Sequence, residues 1–309
     1  MKKEITIHSP ATVANMVCGF DILGFAINDP FDIMVMRTTA KRGISIINKD
    51  DFKLPVEPEK NAAGGALLAL LEQVPEEIGF EIEITKHIKP GSGIGSSAAS
   101  AAGAVVGANY LLNNKFTKNE LISFAMCGEQ VASGTKHADN VAPCIYGGIT
   151  LVRNSKTIDV ISIPAPELFV TIVHPLIEVK TSDARSILKT QIQLKDAVYQ
   201  WANIAGLVAG LMKKDFGLIG RSLEDIIVEP LRSILIPGFS EIKQSSIVAG
   251  ALGGGISGSG PSVFMLSASR NAALAVESVV SAIYTRLGID FNTYVTTINF
   301  DGIKIFENK

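Results

Sequence analysis

Two clusters of residues in this 309-residue chain have the types and spacing to do chemistry. The first is Pro90-Gly91-Ser92-Gly93-Ile94-Gly95-Ser96-Ser97, in which three glycines alternate with other residues. Glycines so placed let successive backbone N–H groups converge on one concavity without Cβ interference. The run that follows, from Ser96 to about Leu112, is built almost wholly of Ala, Ser, Gly and Val and predicts a helix. Its unpaired N–H groups and its dipole both favour an anion at that end. The loop is not a Walker A loop, because no Lys-Ser or Lys-Thr closes it, and it lacks the Gly-x-Gly-x-x-Gly order of a dinucleotide site. Three glycines alone favour a tight turn into a packed helix. Hydroxyls at Ser96 and Ser97, in capping and first-turn positions, tip the reading toward a phosphate cradle.

The second cluster runs from Glu129 to Pro143 and is dense in polar side chains within an otherwise apolar protein. On a helical wheel Glu129 falls between Ile122 and Ala125, inside the apolar sector of its helix. A carboxylate there must be paired, protonated or bound to a cation. Pattern alone slightly favours a buried ion pair with Lys or Arg. If Ser97 lies opposite, one hydroxyl and one carboxylate form the sparse set that Mg2+ takes beside phosphate oxygens. His137, Asp139 and Asn140 follow the Gly134 break and also fit plain turn chemistry. A Ser-His-Asp hydrolase is disfavoured because no Gly-x-Ser-x-Gly elbow exists. The four histidines are scattered, which disfavours a histidine zinc site. A second glycine-rich stretch, Gly253 to Ser262, does match Gly-x-Gly-x-x-Gly, but it leaves a helix and enters a strand, the wrong order for a dinucleotide fold. It reads as a long flexible turn or as a backbone wall against a bound ligand.

The elements that must position these clusters are mixed strands and helices in each half of the chain. Strands are predicted at 4–8, 32–37, 44–47, 80–85, 148–153 and 158–163, with helices at 61–71, 96–112 and 118–133. Beyond Pro164-Ala165-Pro166 come a strand at 168–174, helices at 182–189, 194–212, 216–222 and 240–252, a strand at 262–266, a helix at 271–287 and strands at 293–298 and 302–306. The fold class is therefore α+β, with two domains divided at the proline pair, 1–165 and 166–309. The helix at 96–112 is small or apolar all round, which predicts burial between other elements.

With 47% hydrophobic residues the chain can bury a sizeable core. A net charge of −2 with no basic stretch excludes nucleic acid and anionic membranes as expected partners. Mean hydropathy is +0.31, yet no apolar run approaches the roughly 20 residues that span a bilayer. The alternating start resembles a strand rather than a signal peptide. Cys18, Cys127 and Cys144 are odd in number and lack metal spacing. A cytoplasmic location is expected.

Three blocks, Ser9–Gly24, Pro90–Ser100 and Gly254–Ser262, resemble the three motifs of the GHMP small-molecule kinases. The stretches Ala14-Asn15 with Gly19-Phe20-Asp21, Lys136 to Pro143, Thr181 to Arg185, and Glu229-Pro230-Leu231-Arg232 are most similar to the homoserine kinase branch. The resemblance implies an N-terminal domain like the second domain of ribosomal protein S5 and a ferredoxin-like C-terminal domain. ATP and a small acceptor would meet in the cleft between them, and the family suggests a homodimer. Carried over by position, Pro90, Gly91, Ser92, Gly93, Ile94, Gly95, Ser96 and Ser97 would wrap the ATP phosphates, with Asn61 bordering the base. Ser97 and Glu129 would hold Mg2+. Asn15, Asp21, His137, Thr181, Arg185 and Arg232 would line the pocket for L-homoserine, with Asn140 at the accepting hydroxyl and Asp139 as the alternative catalytic group. Two arginines suit a carboxylate and Asp21 suits an ammonium. Without the resemblance, each arginine would be read as a solvated surface residue.

The chain departs from the family pattern where Met16-Val17-Cys18 replaces the usual Leu-Gly-Pro, which puts the turn from Asn15 to Asp21 in question. Two other readings follow from the resemblance: a GHMP kinase for another small alcohol, and a non-catalytic sensor of the same fold. The retention of Ser97 and Glu129 argues against the sensor.

Overall fold

The computed structural model describes residues 4–307. Among the described residues, eleven strands fall into two sheets. β1 (Glu4–Ala14), β2 (Leu23–Thr39), β3 (Gly43–Asn48), β4 (Gly79–Thr85), β5 (Ile149–Asn154) and β6 (Asp159–Ile163) belong to the first. β7 (Phe169–Pro175), β8 (Gly253–Ile256), β9 (Val263–Ser267) and β10 (Phe291–Thr297) make the second, in the order β10-β7-β9-β8. β11 (Lys304–Glu307) returns to the first sheet, whose main path is β11-β1-β2-β4-β3, with β5 on the first part of β2 and β6 on β5.

The helices are α1 (Ala62–Leu71), α2 (Ser96–Leu111), α3 (Lys118–Ser133), α4 (Val141–Tyr146), α5 (Thr181–Ser186), α6 (Leu194–Lys213), α7 (Phe216–Ser222), α8 (Glu229–Arg232), α9 (Phe239–Val248) and α10 (Arg270–Leu287). β3 and β4 are the parallel pair, joined by a crossover that carries α1.

Alternation explains the first core. Ile5 and Ile7 of β1, Met34 and Met36 of β2, and Phe80, Ile82 and Ile84 of β4 point inward and meet α1, α2 and α3. α2 is buried along nearly its whole length, as its composition predicts. Gly107 shows why small residues are needed there, since a Cβ would stand 2.2 Å from Ile7 Cδ1. A second core joins the two sheets: Val13, Phe25 and Ile27 pack with Val170, Ile172 and Phe264, and Phe25 meets Phe264 edge-on at 5.5 Å. This shared core sets how the cleft walls face one another.

Several elements differ from expectation. β1 and β2 are longer than predicted, because a register shift between Pro10 and Thr12 breaks the alternation without ending the pairing. α4 is not among the expected helices and contains Pro143; the proline sits in its first turn, where no N–H partner is lost. Gly253–Ile256 is a strand rather than part of a turn. It pairs with β9, and a Cβ on Gly254 would lie 2.0 Å from the Phe264 carbonyl oxygen. A division at 165/166 assigns the first ten strands to their sheets, but β11 crosses it to cover the edge of β1 through the His8–Lys304 register.

Candidate active site

A cavity of about 440 Å³ lies where the two halves meet. Its walls come from the glycine loop, the start of α1, the end of α3, the 137–140 loop, Asn15, Asp21, Thr181, Arg185, Arg232 and the Gly258–Gly260 turn.

Gly91, Gly93 and Gly95 all have left-handed backbones, with φ of +75°, +87° and +70°. A Cβ at Gly93 would stand 2.5 Å from the Gly260 carbonyl oxygen, and one at Gly95 would stand 2.0 Å from Thr12 Oγ1. Pro90, Gly91, Gly93, Gly95, Ser96 and Ser97 border the cavity. Ser92 and Ile94 are buried and do not border it. They anchor the loop instead: the Ser92 carbonyl accepts from Ser262 N at 3.2 Å and the Ile94 carbonyl from Thr12 N at 3.2 Å. The Ser96 hydroxyl also differs from expectation. It donates to the Ile88 carbonyl at 2.8 Å and so braces the scaffold rather than facing an anion.

Beneath the helix start lies an ion pair that the sequence reading missed. Lys86 and Asp32 are both buried and bonded to each other. Lys86 Nζ also donates to the Ser96 carbonyl at 2.7 Å and to Ser100 Oγ at 2.9 Å. Asp32 Oδ1 accepts from the backbone N–H groups of His87 and Ile88 at 2.8 and 2.9 Å. The signal was present in the alternation: Asp32 is in phase with Met34 and Met36, and Lys86 with Ile82 and Ile84. The two charges stand one step past the paired residues Ile33 and Thr85, so each supplies the other's inward partner. Such a pair is costly to break from one side.

Glu129 is buried at the cavity wall, and burial pushes its carboxyl up to about 7, while the Ser97 hydroxyl and the Lys86 charge pull the other way. The slightly favoured expectation of a direct ion pair is not what forms. Glu129 Oε1 is buried with no hydrogen-bond partner. An orphaned anionic oxygen beside a hydroxyl, at the mouth of a helix N-terminus, fits a hard divalent cation. Among the described residues no group of three or more His, Cys, Asp or Glu could hold a metal by itself. A cation here must take its other ligands from a bound ligand or from water.

At the opposite end the polar side chains converge. Arg185 Nη2 donates to Asp21 Oδ1 at 2.8 Å and to Oδ2 at 3.1 Å. Asp21 N donates to Asn15 Oδ1 at 3.0 Å, and Asn15 Nδ2 donates to the Gly258 carbonyl at 2.8 Å. Arg232 is only 4% exposed, far from a solvated surface residue. Its Nε donates to the Ala184 carbonyl at 3.0 Å and its Nη1 to the Gly258 carbonyl at 2.9 Å. His137 Nε2 meets Thr135 Oγ1 at 2.7 Å and its Nδ1 lies 3.7 Å from Asp21 Oδ1. Burial lowers its proton affinity, against the pull of Asp21. Thr181 Oγ1 lies 3.2 Å from Ser259 Oγ, a residue of the cavity wall that the sequence reading did not single out.

The turn from Asn15 to Asp21 holds in spite of the missing family glycine. Asn15, Met16 and Val17 all have positive φ, at 72°, 40° and 64°. Val17 therefore occupies a backbone that suits glycine, at a strain of about 1–3 kcal/mol, and buries its side chain.

Asp139 and Asn140 stand between the two ends of the cavity. Burial pushes the Asp139 carboxyl up to about 7, reinforced by the charges of Asp21 and Glu129. Asn140 lines the cavity, and its Oδ1 accepts from Thr12 Oγ1 at 2.8 Å. Asn61 caps α1: its Oδ1 accepts from Ala63 N at 2.9 Å and Gly64 N at 3.3 Å, and its Nδ2 donates to the Pro55 carbonyl at 2.7 Å. It borders the cavity near Leu54, Pro55 and Val131 with its amide already engaged.

Comparison with known proteins agrees with this architecture. Residues 61–148 match the GHMP kinases N terminal domain and residues 207–286 the GHMP kinases C terminal domain. The chain is 44% identical over 318 residues to the homoserine kinase of Chlorobium phaeovibrioides, covering 98% of this chain and 99% of that protein. The crystal structure of homoserine kinase from Cytophaga hutchinsonii superposes with a TM-score of 0.94 at 50% identity, covering 99% and 98% of the two chains. At 17% identity, with 94% of each chain covered, the mevalonate kinase of L. major in complex with R-mevalonate shares the fold, with a TM-score of 0.72. The two-domain α+β architecture expected from the motifs is the one observed, and the chain belongs to the GHMP kinases.

Proposed function

We propose that this protein transfers the γ-phosphoryl group of ATP to the side-chain hydroxyl of L-homoserine, giving ADP and O-phospho-L-homoserine for threonine synthesis. The observation that carries this reading is the full-length likeness to homoserine kinases together with Asp21, Arg185 and Arg232 gathered at one end of the cavity. An amino acid offers an ammonium to Asp21 and a carboxylate to the arginines, whereas an acceptor without a carboxylate leaves the buried Arg232 with no anion to meet it.

The phosphates lie against the backbone of Gly91, Gly93, Gly95, Ser96 and Ser97, at the start of α2. Glu129 and Ser97 would hold a divalent cation, which would supply charge neutralisation to the phosphates. The acceptor oxygen attacks the γ-phosphorus in line, the bond to the β,γ-bridging oxygen breaks with its electron pair going to ADP, and the hydroxyl proton passes to an oxygen of the transferred phosphoryl group and on to water. Little covalent work falls to the protein in such a loose transition state, so positioning does most of it. Asn140, held by Thr12, donates its amide N–H to the hydroxyl oxygen and aims a lone pair. Asp139, with its carboxyl near 7, is the alternative as proton acceptor.

Asn140→Ala is expected to lower kcat about 10²-fold, the scale of a misplaced reactant, and Asp139→Asn by less than about tenfold. The pH profile separates the two roles. If Asp139 takes the proton, kcat falls as pH drops through about 7; if it does not, kcat is nearly flat there. A greater loss in Asp139→Asn, with the fold intact, reverses the assignment.

The substrate is tested by ATP consumption against homoserine, mevalonate, galactose and shikimate. Homoserine should be turned over at least about 10²-fold more efficiently than the rest, as expected when buried polar groups select the acceptor. Turnover of mevalonate or a sugar without homoserine would overturn the proposal.

A further inference from the structure

Phe20 has no polar group, yet it stands beside both arginines of the acceptor end. Its ring centroid is 5.5 Å from Cζ of Arg185 and 5.0 Å from Cζ of Arg232. Both distances are within reach of an attraction between cation and ring face. Burial and the neighbouring Arg185 charge both weaken the hold of Arg232 on its proton, and the ring face offers that cation a compensating contact.

The in-plane donors of these groups are partly committed. Arg232 spends Nε and Nη1 on the Ala184 and Gly258 carbonyls, and Arg185 spends Nη2 on Asp21. Arg185 Nε is buried with no partner. A guanidinium keeps all its donors in one plane, so a ring beside it restrains the group without consuming a donor.

We propose that Phe20 is a positioning residue, its ring holding Arg185 and Arg232 so that their remaining edges receive the acceptor's carboxylate together. This rests on the reading of the site as an amino-acid kinase. Asp21 follows directly in the chain, so one short segment places both the anion for the ammonium and the ring that aligns the cations. The aromatic ring, rather than its apolar bulk, is the working feature. Leucine fills space but offers no electron-rich face, whereas tyrosine keeps it.

The test compares Phe20→Leu and Phe20→Tyr with the parent enzyme in steady-state kinetics. In Phe20→Leu, KM for homoserine should rise about tenfold, the scale of two modest cation–ring contacts, with kcat and KM for ATP within about twofold. Phe20→Tyr should stay within about twofold of the parent throughout. With L-homoserine amide, which lacks the carboxylate, the Phe20→Leu loss should shrink to less than about twofold. The proposal is overturned if Phe20→Leu leaves KM for homoserine unchanged, if Phe20→Tyr is as impaired as Phe20→Leu, or if the loss persists undiminished with the amide. Failure of the parent enzyme to phosphorylate homoserine is a separate result and counts against the proposed function itself.

Discussion

Glu129→Gln is expected to lower kcat about 10³-fold, near the upper end of what losing one preorganised electrostatic group costs, and to leave the ligand-free fold at least as stable. Glutamine has nearly the same shape but cannot supply the anionic oxygen that Glu129 Oε1 holds without a partner. Replacing a buried carboxylate by a neutral amide also removes its desolvation cost. The sign of the pH dependence follows from the raised pKa. Folding shifts the Glu129 carboxyl from 4.5 to about 7, so the folded state binds this proton more tightly than the unfolded chain does. The group's stabilising contribution is full below about 4.5 and is lost as pH climbs through about 7. Thermal melts of ligand-free protein between pH 5 and pH 8 should therefore slope less steeply in Glu129→Gln than in the parent. Conversely, Mg2+ uptake in the presence of ATP needs the ionised form and should strengthen as pH rises through the same window. A Glu129→Gln enzyme with parental kcat at every Mg2+ concentration would remove this residue from the cation site.

Gly95→Ala is expected to raise KM for ATP by about 10²-fold or more, the cost of a small displacement of bound reactants, and to lower the melting temperature. Its Cβ would lie 2.0 Å from Thr12 Oγ1 and 3.1 Å from Asn140 Oδ1, so Thr12 must move and its bond to Asn140 is disturbed. The residue is also the N-cap of α2 with φ of +70°, where a side chain adds about 1–2 kcal/mol of backbone strain. Gly91→Ala is the matched control. It shares the left-handed backbone, at φ +75°, but its Cβ meets nothing within 4 Å. It should show the strain without the collision: a small loss of stability and a KM for ATP within a few-fold of the parent. Equal effects of the two substitutions would show that backbone conformation alone, and not the approach to Thr12, makes the glycine necessary.

What was legible in the sequence follows from how far each feature reaches along the chain. Alternation and helical periodicity are local, so most strands and helices stand where they were expected, α3 at its predicted bounds of 118–133. The need for positive φ in the glycine loop is also local, and so is the position of Glu129 on the apolar side of its helix. The partners of these groups are set by packing between segments far apart in sequence. Phase along β2 and β4 marked Asp32 and Lys86 as inward charges, but only the strand register brought them together under α2. Nothing near Ser96 indicated that its hydroxyl turns to Ile88 while Ser97 stays at the cavity. Arg185 and Arg232 read as solvated residues on composition. The tertiary fold brings both beside Phe20, Arg232 buried and Arg185 half-buried, with Asp21 already paired to Arg185. β11 shows the same limit, since a short strand near the chain's end has no local preference for one sheet over another. The exposed edge of β1, some 300 residues earlier, selects it. Local sequence carries conformational preference and polarity, whereas the meeting of one buried charge with another is a property of the closed core.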